Sequence, residues 1–170
     1  MSFRDTVNRV NDLTLQVTGK LAFIAPLVTR IVIGLAFLQA GTGKFRQFEN
    51  VVGFFHGLGI PFPTFHAGLV ASMETVGGIM LILGLFTRFF ASGLSITMVV
   101  ALLTADKANF LASWGSAAEM SPTDVTAFVF LLFLLWLVFY GAGKLSLDAL
   151  LRRFLRLDPV SAGSLGPNST

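Results

Sequence analysis

The chain has 170 residues, of which 54% are hydrophobic and only 12% are charged, about half the charged fraction of a soluble globular domain. This small number of polar residues cannot cover a surface that is exposed to water, so the composition excludes an ordinary soluble domain. It predicts instead an all-α, polytopic membrane protein. The absence of cysteine excludes disulfides, thiolate metal sites and iron–sulfur clusters. The net charge of +3 is dispersed along the chain, so we expect it to orient the protein in a membrane rather than to bind nucleic acid.

The N-terminal segment, residues 1–21, mixes apolar residues at helical spacing with charged ones. This pattern predicts an amphipathic helix on the cytoplasmic membrane surface rather than a cleaved signal peptide.

Four apolar runs then follow, each long enough to cross a bilayer, the third only just. They are Ala22–Gly41, Phe65–Phe86, Phe89–Ala105 and Val125–Gly141. Together they predict a four-helix transmembrane bundle over residues 22–141. The second run follows two prolines, and Thr64 is its predicted N-cap. Only Thr87 and Arg88 separate the second run from the third, and this short connection predicts a tight antiparallel hairpin. Ser121-Pro122-Thr123-Asp124 predicts a capping box at the start of the fourth run.

The distribution of basic residues predicts the orientation, because Lys and Arg accumulate on the cytoplasmic side. The four-span topology places eight of them on one side and three on the other. The eight are Arg4, Arg9, Lys20, Arg88, Lys144, Arg152, Arg153 and Arg156, and the three are Lys44, Arg46 and Lys107. We therefore expect both termini in the cytoplasm and the protein in a bacterial inner membrane.

Two short amphipathic helices are predicted outside the spans. Phe48, Val51, Val52 and Phe55 form an apolar stripe that stops at Gly57, as in an interfacial helix on the outer side. Residues 142–158 combine a leucine stripe with three arginines, which is typical of a helix on anionic headgroups. The remaining residues, 159–170, are rich in Ser, Gly and Pro and are expected to be disordered.

Two formal charges, Arg30 and Glu74, fall inside the predicted spans. At 1.5 Å per residue they lie about 13 Å and about 20 Å from the same membrane face, so their long side chains are expected to pair. Two interpretations stay open. The first is a buried ion pair that fixes helix register, with Thr75 among its hydrogen-bonding neighbours. The second is a functional pair that lines a polar pocket for the headgroup of a lipid-soluble substrate or that passes protons.

A second polar cluster is expected near the outer interface, where Gln39, Lys44 and His66 approach one another with His56 nearby. It is able to receive a quinone carbonyl or an anion. The simpler interpretation is that these side chains snorkel and satisfy helix ends. No haem or metal site is predicted, because the two histidines lie at the rim of the spans and the carboxylates are scattered.

Two similar strings, Gly41-Thr42-Gly43-Lys44 and Gly141-Ala142-Gly143-Lys144, each follow a predicted span. Neither has the spacing of a phosphate-binding loop. Glycine at the helix end and lysine at the negative end of the dipole account for both without a ligand.

The order of these features resembles the DoxX family over about residues 25–150. The resemblance rests on Arg30 with Gly34, Phe37 and Gly41–Lys44, on Gly59-Ile60-Pro61, on Glu74 with Gly77 and Gly78, on Gly84–Arg88, and on Gly141–Asp148. It implies four-span bacterial membrane proteins similar to the DoxD subunit of thiosulfate:quinone oxidoreductase. It also implies a quinone-linked redox setting in which Arg30, Lys44 and Glu74 match the polar motif positions.

The function expected from sequence is therefore a membrane subunit of a redox system that binds a quinone or a similar lipophile, with Arg30, Glu74, Lys44, Gln39, Thr75 and His66 as ligand-binding residues. No catalytic residue, covalent cofactor or oligomeric state is assigned, and soluble redox proteins are the expected partners. The alternative is a non-enzymatic scaffold that anchors soluble oxidoreductases. A small-solute carrier is less favoured because no paired broken helices are apparent.

Overall fold

The computed structural model describes residues 4, 23–115, 120–143 and 145–155, and within these ranges all regular structure is helical. The all-α prediction is confirmed. The helices are α1 (Ile24–Arg46), α2 (Phe48–Gly57), α3 (Pro63–Leu83), α4 (Thr87–Leu103), α5 (Lys107–Ala112), α6 (Thr126–Tyr140) and α7 (Leu147–Phe154), with a 3-10 turn, Pro122–Asp124, before α6. The predicted surface helix over 1–21, except Arg4, and the predicted disordered tail over 159–170 lie outside the described residues.

Four long helices pack side by side in a closed order: α1 contacts α3, α3 contacts α4, α4 contacts α6, and α6 contacts α1. Their shared core is apolar. It includes Ile33, Phe37, Leu81, Leu94, Leu134 and Leu137. The outer faces of the same helices also carry large exposed apolar side chains, such as Val32, Ile96 and Phe139. Apolar residues on both the inner and the outer face are typical of helices surrounded by lipid.

Two of these helices, α1 and α3, are long and apolar enough to cross a membrane. The other two, α4 and α6, are apolar but have only 17 and 15 residues. The prediction of four membrane crossings therefore stays a prediction for α4 and α6.

The first helix is longer than predicted and ends at Arg46 instead of Gly41. The prediction that Gly41 ends this helix is wrong, because the glycine lies within α1 against Ala71 and Thr75 of α3. Its missing side chain permits close packing there, while Lys44 does lie in the last turn of α1. At the second string, Gly141 does follow α6, but Lys144 lies outside the described part of the chain.

The hairpin between α3 and α4 is confirmed, but its turn is Gly84–Phe86, three residues earlier than predicted. Gly84 has φ 68°, the left-handed conformation that ends many helices. Thr87 and Arg88 instead begin α4. At the other end of α3, Phe62 is the N-cap residue and Pro63 follows it, so Thr64 is not the cap.

The capping box and both short helices are present, although α7 begins at Leu147, five residues after the start of the predicted segment 142–158, and the placement of the two helices on membrane surfaces stays a prediction. Ser121 and Asp124 form the capping box: Asp124 Oδ2 accepts from the Ser121 amide at 2.7 Å. The stripe from Phe48 to Phe55 lies on α2, which packs against α3. The leucine stripe after the fourth run lies on α7, capped by Ser146, whose hydroxyl accepts from the Ala149 amide at 3.1 Å.

Candidate functional site

The register of α1 against α3 decides which polar side chains can meet. A Cβ on Gly78 would lie 2.6 Å from the Leu38 amide nitrogen and 2.7 Å from the Gly34 carbonyl oxygen, so the two backbones touch at this level. Gly41 similarly lies against Thr75. Small residues let helices approach this closely, and these contacts fix α1 and α3 as an antiparallel pair.

This register separates Arg30 from Glu74. Arg30 lies against Gly84, just beyond the end of α3, and Gly84 is ten residues, or about 15 Å along a helix, from Glu74. The prediction that Arg30 and Glu74 pair is therefore not met in the structure. The counted depths differed by only about 6 Å because they assumed that α1 begins level with the end of α3. Arg30, six residues after the start of α1, instead lies against Gly84, so α1 begins about 9 Å beyond the end of α3.

Glu74 pairs instead with Lys44. The Lys44 Nζ donates to Glu74 Oε2 at 2.5 Å, linking α1 to α3. The Glu74 side chain is only 3% exposed, whereas Lys44 is 28% exposed. The carboxylate is thus enclosed by protein while its partner reaches the outer surface of the helix pair. An ammonium has three N–H donors, so Lys44 keeps two that Glu74 Oε2 does not use.

The other predicted site residues are divided between this pair and the surface. Thr75 lies beside the pair, against Gly41, and its hydroxyl donates to the Ala71 carbonyl oxygen at 2.8 Å. Gln39 is exposed. The His66 ring Nδ1 lies 3.2 Å from the Phe62 carbonyl oxygen, and His56 is exposed on α2. Of the predicted site residues, the structure therefore pairs Lys44 with Glu74, and Thr75 follows Glu74 on α3 without a bond to the pair.

Arg30 belongs to a second polar centre at the opposite end of α1, which we call the Arg30 end. Its side chain is 1% exposed, and Nη2 donates to the Leu145 carbonyl oxygen at 2.6 Å. Arg30 Nε and Nη1, and the Thr87 hydroxyl, find no hydrogen-bond partner within the described ranges. The guanidinium thus joins α1 to the segment before α7.

Asp148 completes this centre. In the sequence it ends the Gly141–Asp148 string of the resemblance, but no capping or binding role was predicted for it. Its Oδ1 accepts from the Phe86 amide at 2.9 Å and its Oδ2 from the Thr87 amide at 3.2 Å, so it caps the N-terminus of α4. Its own amide donates to the Gly84 carbonyl oxygen at 3.0 Å. No local spacing indicates this role, because the cap and the helix are more than 60 residues apart in the chain.

Neither centre has the composition of a metal site. Across the ranges that the structure describes, no group of three or more His, Asp or Glu side chains is arranged to hold a metal ion. The Lys44–Glu74 pair offers hydrogen-bond donors at the surface of an apolar helix pair. The Arg30 end instead offers a buried cation whose one hydrogen bond to a described residue goes to backbone.

Comparison with known proteins gives a consistent result. The DoxX family model matches residues 25–107, which include both members of the Lys44–Glu74 pair. An uncharacterized membrane protein of Mycobacterium tuberculosis is 40% identical over 128 residues, covering 70% of this chain and 76% of the relative. A Bacillus subtilis protein named "Putative oxidoreductase CatD" is 33% identical over 89 residues, 52% of this chain and 65% of the relative.

A third relative, the inner membrane protein YqjF of Escherichia coli, is 28% identical over 137 residues, which cover 79% of this chain and 97% of the relative. No solved structure matches the chain. The family match and the coverage of the mycobacterial relative agree with the resemblance seen in the sequence, so the chain belongs to the DoxX family and is a membrane protein.

Proposed function

We propose that this protein is a four-span subunit of a quinone-linked redox system in a bacterial inner membrane, and that the Lys44–Glu74 pair holds the quinone headgroup. The observation that carries the proposal is the ion pair itself. Its carboxylate is enclosed between α1 and α3, and its ammonium is partly open to the surrounding phase. Ionisable groups in membrane helices are costly, so a pair retained there calls for a function.

The chemistry of the pair suits a quinone. A quinone presents carbonyl oxygens that accept hydrogen bonds and an apolar body that partitions into lipid. Lys44 has N–H donors beyond the one given to Glu74, and the carboxylate keeps the ammonium in position. The exposed apolar faces of α1 and α3 provide the surface along which such a molecule would reach the pair.

Membrane placement supports the same proposal. The helix α4 is about 25 Å long, and α6 with its preceding 3-10 turn is about 28 Å long, close to the thickness of the hydrocarbon layer. The helices α4 and α6 can therefore cross a membrane beside α1 and α3 if the bilayer thins slightly around them. Arg88, Arg152 and Arg153 then lie at the Arg30 end, which we place on the cytoplasmic side with both termini.

A redox partner is part of the proposal. The sequence contains no cysteine, so the chain contributes no thiol to electron transfer. We propose that a separate oxidoreductase supplies the electrons and that this chain binds the quinone for it. The name of the CatD relative, as an oxidoreductase, is in line with this role.

Direct binding tests the proposal. The purified protein in lipid nanodiscs is titrated with decylubiquinone and with 2,3-dimethyl-1,4-naphthoquinone, and the Kd is measured by calorimetry. Lys44→Met should raise the Kd about 10- to 100-fold, since a hydrogen bond to a charged donor contributes about 1.5–3 kcal/mol. Arg46→Met is the matched control: it removes a basic residue two positions away whose side chain is exposed, and it should leave the Kd unchanged.

The result that overturns the proposal is equally direct. If the folded wild-type protein binds neither quinone, or if Lys44→Met and Arg46→Met weaken binding equally, the pair is not a quinone site. In that case the pair serves helix register, and the scaffold alternative becomes the better account of the family membership.

A further inference from the structure

A large cavity lies at the Arg30 end, away from the Lys44–Glu74 pair. It has a volume of about 920 Å³ and is bordered by the turn before α4, the end of α6 and the inner face of α7. Much of its lining is apolar and aromatic, including Phe86, Phe89, Tyr140, Leu151 and Leu155. These side chains are all exposed, so the cavity is open to the surroundings.

Two arginines stand at the polar edge of this cavity. Arg88, on the first turn of α4, donates to the Phe139 carbonyl oxygen at 3.3 Å, and its guanidinium lies against Gly141. Arg152 reaches the cavity from α7. Within the described part of the chain, neither arginine has a carboxylate within 4.0 Å, so both positive charges face the cavity without a carboxylate partner.

Among the described residues that line the cavity, Asp148 is the acidic one, and it does not cancel the two positive charges. Both of its oxygens accept from the amides of Phe86 and Thr87, where the positive end of the α4 dipole offsets a negative charge. The net electrostatic character of the edge is therefore positive.

We propose that this cavity is a binding site for an anionic phospholipid of the adjacent leaflet, with the phosphate between Arg88 and Arg152 and the acyl chains against the aromatic lining. Guanidinium groups bind phosphate oxygens with good geometry, and basic pockets between membrane helices on the cytoplasmic side suit anionic headgroups. The inference rests on the proposed placement in the membrane, but it does not depend on quinone binding.

The lining favours a lipid over other occupants. A free phosphate would use the arginines but would leave the aromatic surfaces of Phe86 and Phe89 in contact with water. The N-terminal segment of this chain carries Arg4, Arg9 and Lys20 against Asp5 and Asp12. Its charge is therefore positive and does not complement the two arginines. A phosphodiester with two hydrocarbon chains matches both parts of the cavity.

A comparison of two neighbouring arginines tests the proposal. The full-length protein in detergent is titrated with phosphatidylglycerol, and bound lipid is counted by native mass spectrometry. Arg88→Gln and Arg152→Gln should each weaken binding about fivefold, the effect of losing one basic contact with an anionic headgroup. Arg153→Gln is the matched control, because Arg153 is on the same helix, is exposed, and does not line the cavity.

Several results would overturn the proposal. If Arg153→Gln weakens binding as much as Arg152→Gln, the lipid binds to a diffuse basic surface. If phosphatidylcholine binds as tightly as phosphatidylglycerol, the arginines do not select charge. If lipid binds only after residues 1–20 are removed, the N-terminal segment is the occupant.

Two further variants separate this site from other effects. Arg88→Lys keeps the charge and should retain most of the binding, so loss in Arg88→Gln with retention in Arg88→Lys shows that folding is not the cause. Glu74→Gln should bind phosphatidylglycerol like the wild type. Failure of the lipid site is thereby distinguishable from failure of the quinone site.

Discussion

Arg30 and Leu145 are 115 positions apart in the chain, yet the Arg30 guanidinium donates to the Leu145 carbonyl oxygen at 2.6 Å. This bond ties the first long helix to the segment that precedes α7. Because Asp148 at the start of α7 also caps α4, three separate parts of the chain meet around one buried arginine. The Arg30 end is therefore held by polar contacts, whereas the centre of the molecule is held by apolar packing.

The first prediction concerns the attachment of α7. Arg30→Met keeps an apolar stem in the packed space but removes the donor to Leu145, so α7 should open more often. Hydrogen exchange of residues 145–155 should become faster, while that of the α3 core stays unchanged. Arg46→Met, at the exposed end of the same helix, is the control and should leave both unchanged. Equal exchange of residues 145–155 in the wild type and in Arg30→Met would show that the bond does not hold α7.

The second prediction concerns Asp148 as a cap. Asp148→Asn keeps one acceptor but loses the second acceptor and the negative charge at the N-terminus of α4, so stability should fall by about 0.5–2 kcal/mol. Asp106→Asn is a matched control, because Asp106 occupies the N-cap position of α5 but makes no side-chain capping bond. Thermal unfolding in detergent measures the stability of both variants. A loss in Asp106→Asn as large as that in Asp148→Asn would contradict the capping role.

The third prediction concerns two glycines on α3. A Cβ on Gly78 would meet the backbone of Leu38 and Gly34, which cannot move aside, whereas a Cβ on Gly68 would come no closer than 3.9 Å to the Phe48 ring. Gly78→Ala should therefore destabilise the protein by about 1–3 kcal/mol through overpacking. Gly68→Ala should be neutral or should stabilise α3 by up to about 1 kcal/mol, because alanine favours a helix. Equal unfolding temperatures for the two variants would contradict the close packing of α1 on α3.

Much of the local structure follows from the sequence. The apolar runs predict the four long helices because burial and membrane solvation both depend on local hydrophobicity. The capping box at Ser121 and the stripe on α2 are equally local, since both depend on side chains within a few residues of one another.

The pairing of charges does not follow in the same way. The helix α1 carries three basic residues, Arg30, Lys44 and Arg46. Which of them meets Glu74 depends on the α1–α3 register, which Gly34, Gly41 and Gly78 set by contact. Counting depths from the ends of the apolar runs assumes that the helix ends are level, whereas α1 begins about 9 Å beyond the end of α3. That offset is enough to make Arg30 appear within reach of Glu74 when it is not. The Asp148 cap cannot be predicted from local sequence either, because Asp148 is more than 60 residues from the amides that it caps.

The fourth prediction concerns the topology. Since the sequence has no cysteine, single cysteines can be labelled without background. Asn50→Cys on α2 and Asn109→Cys on α5 should react with a membrane-impermeant maleimide in intact cells, because both residues are exposed at the Lys44 end. Phe154→Cys on α7 should react only after the cells are opened. Reaction of all three in intact cells would exclude the proposed four-span orientation.

The last prediction concerns the coupling between Lys44 and Glu74, measured by a double-mutant cycle. Glu74→Gln and Lys44→Met each leave the other partner unpaired, and the Glu74 carboxylate is then an enclosed charge without its cation. Lys44→Met should therefore be the more destabilising single change, because Lys44 is partly exposed and can be solvated when Glu74 is changed. The double variant removes both charges and should recover much of the loss, giving a coupling energy of about 1–3 kcal/mol.

The control is a second double-mutant cycle that combines Arg30→Met with Glu74→Gln. Arg30 contacts Gly84, about 15 Å along the helix from Glu74, so these two changes should add within about 0.5 kcal/mol. Thermal unfolding of all six proteins in one detergent gives both coupling energies. Additive effects for Lys44 with Glu74, or strong coupling for Arg30 with Glu74, would mean that the register of α1 on α3 differs from the one set by Gly34 and Gly78, and that the proposed quinone site is placed on the wrong pair.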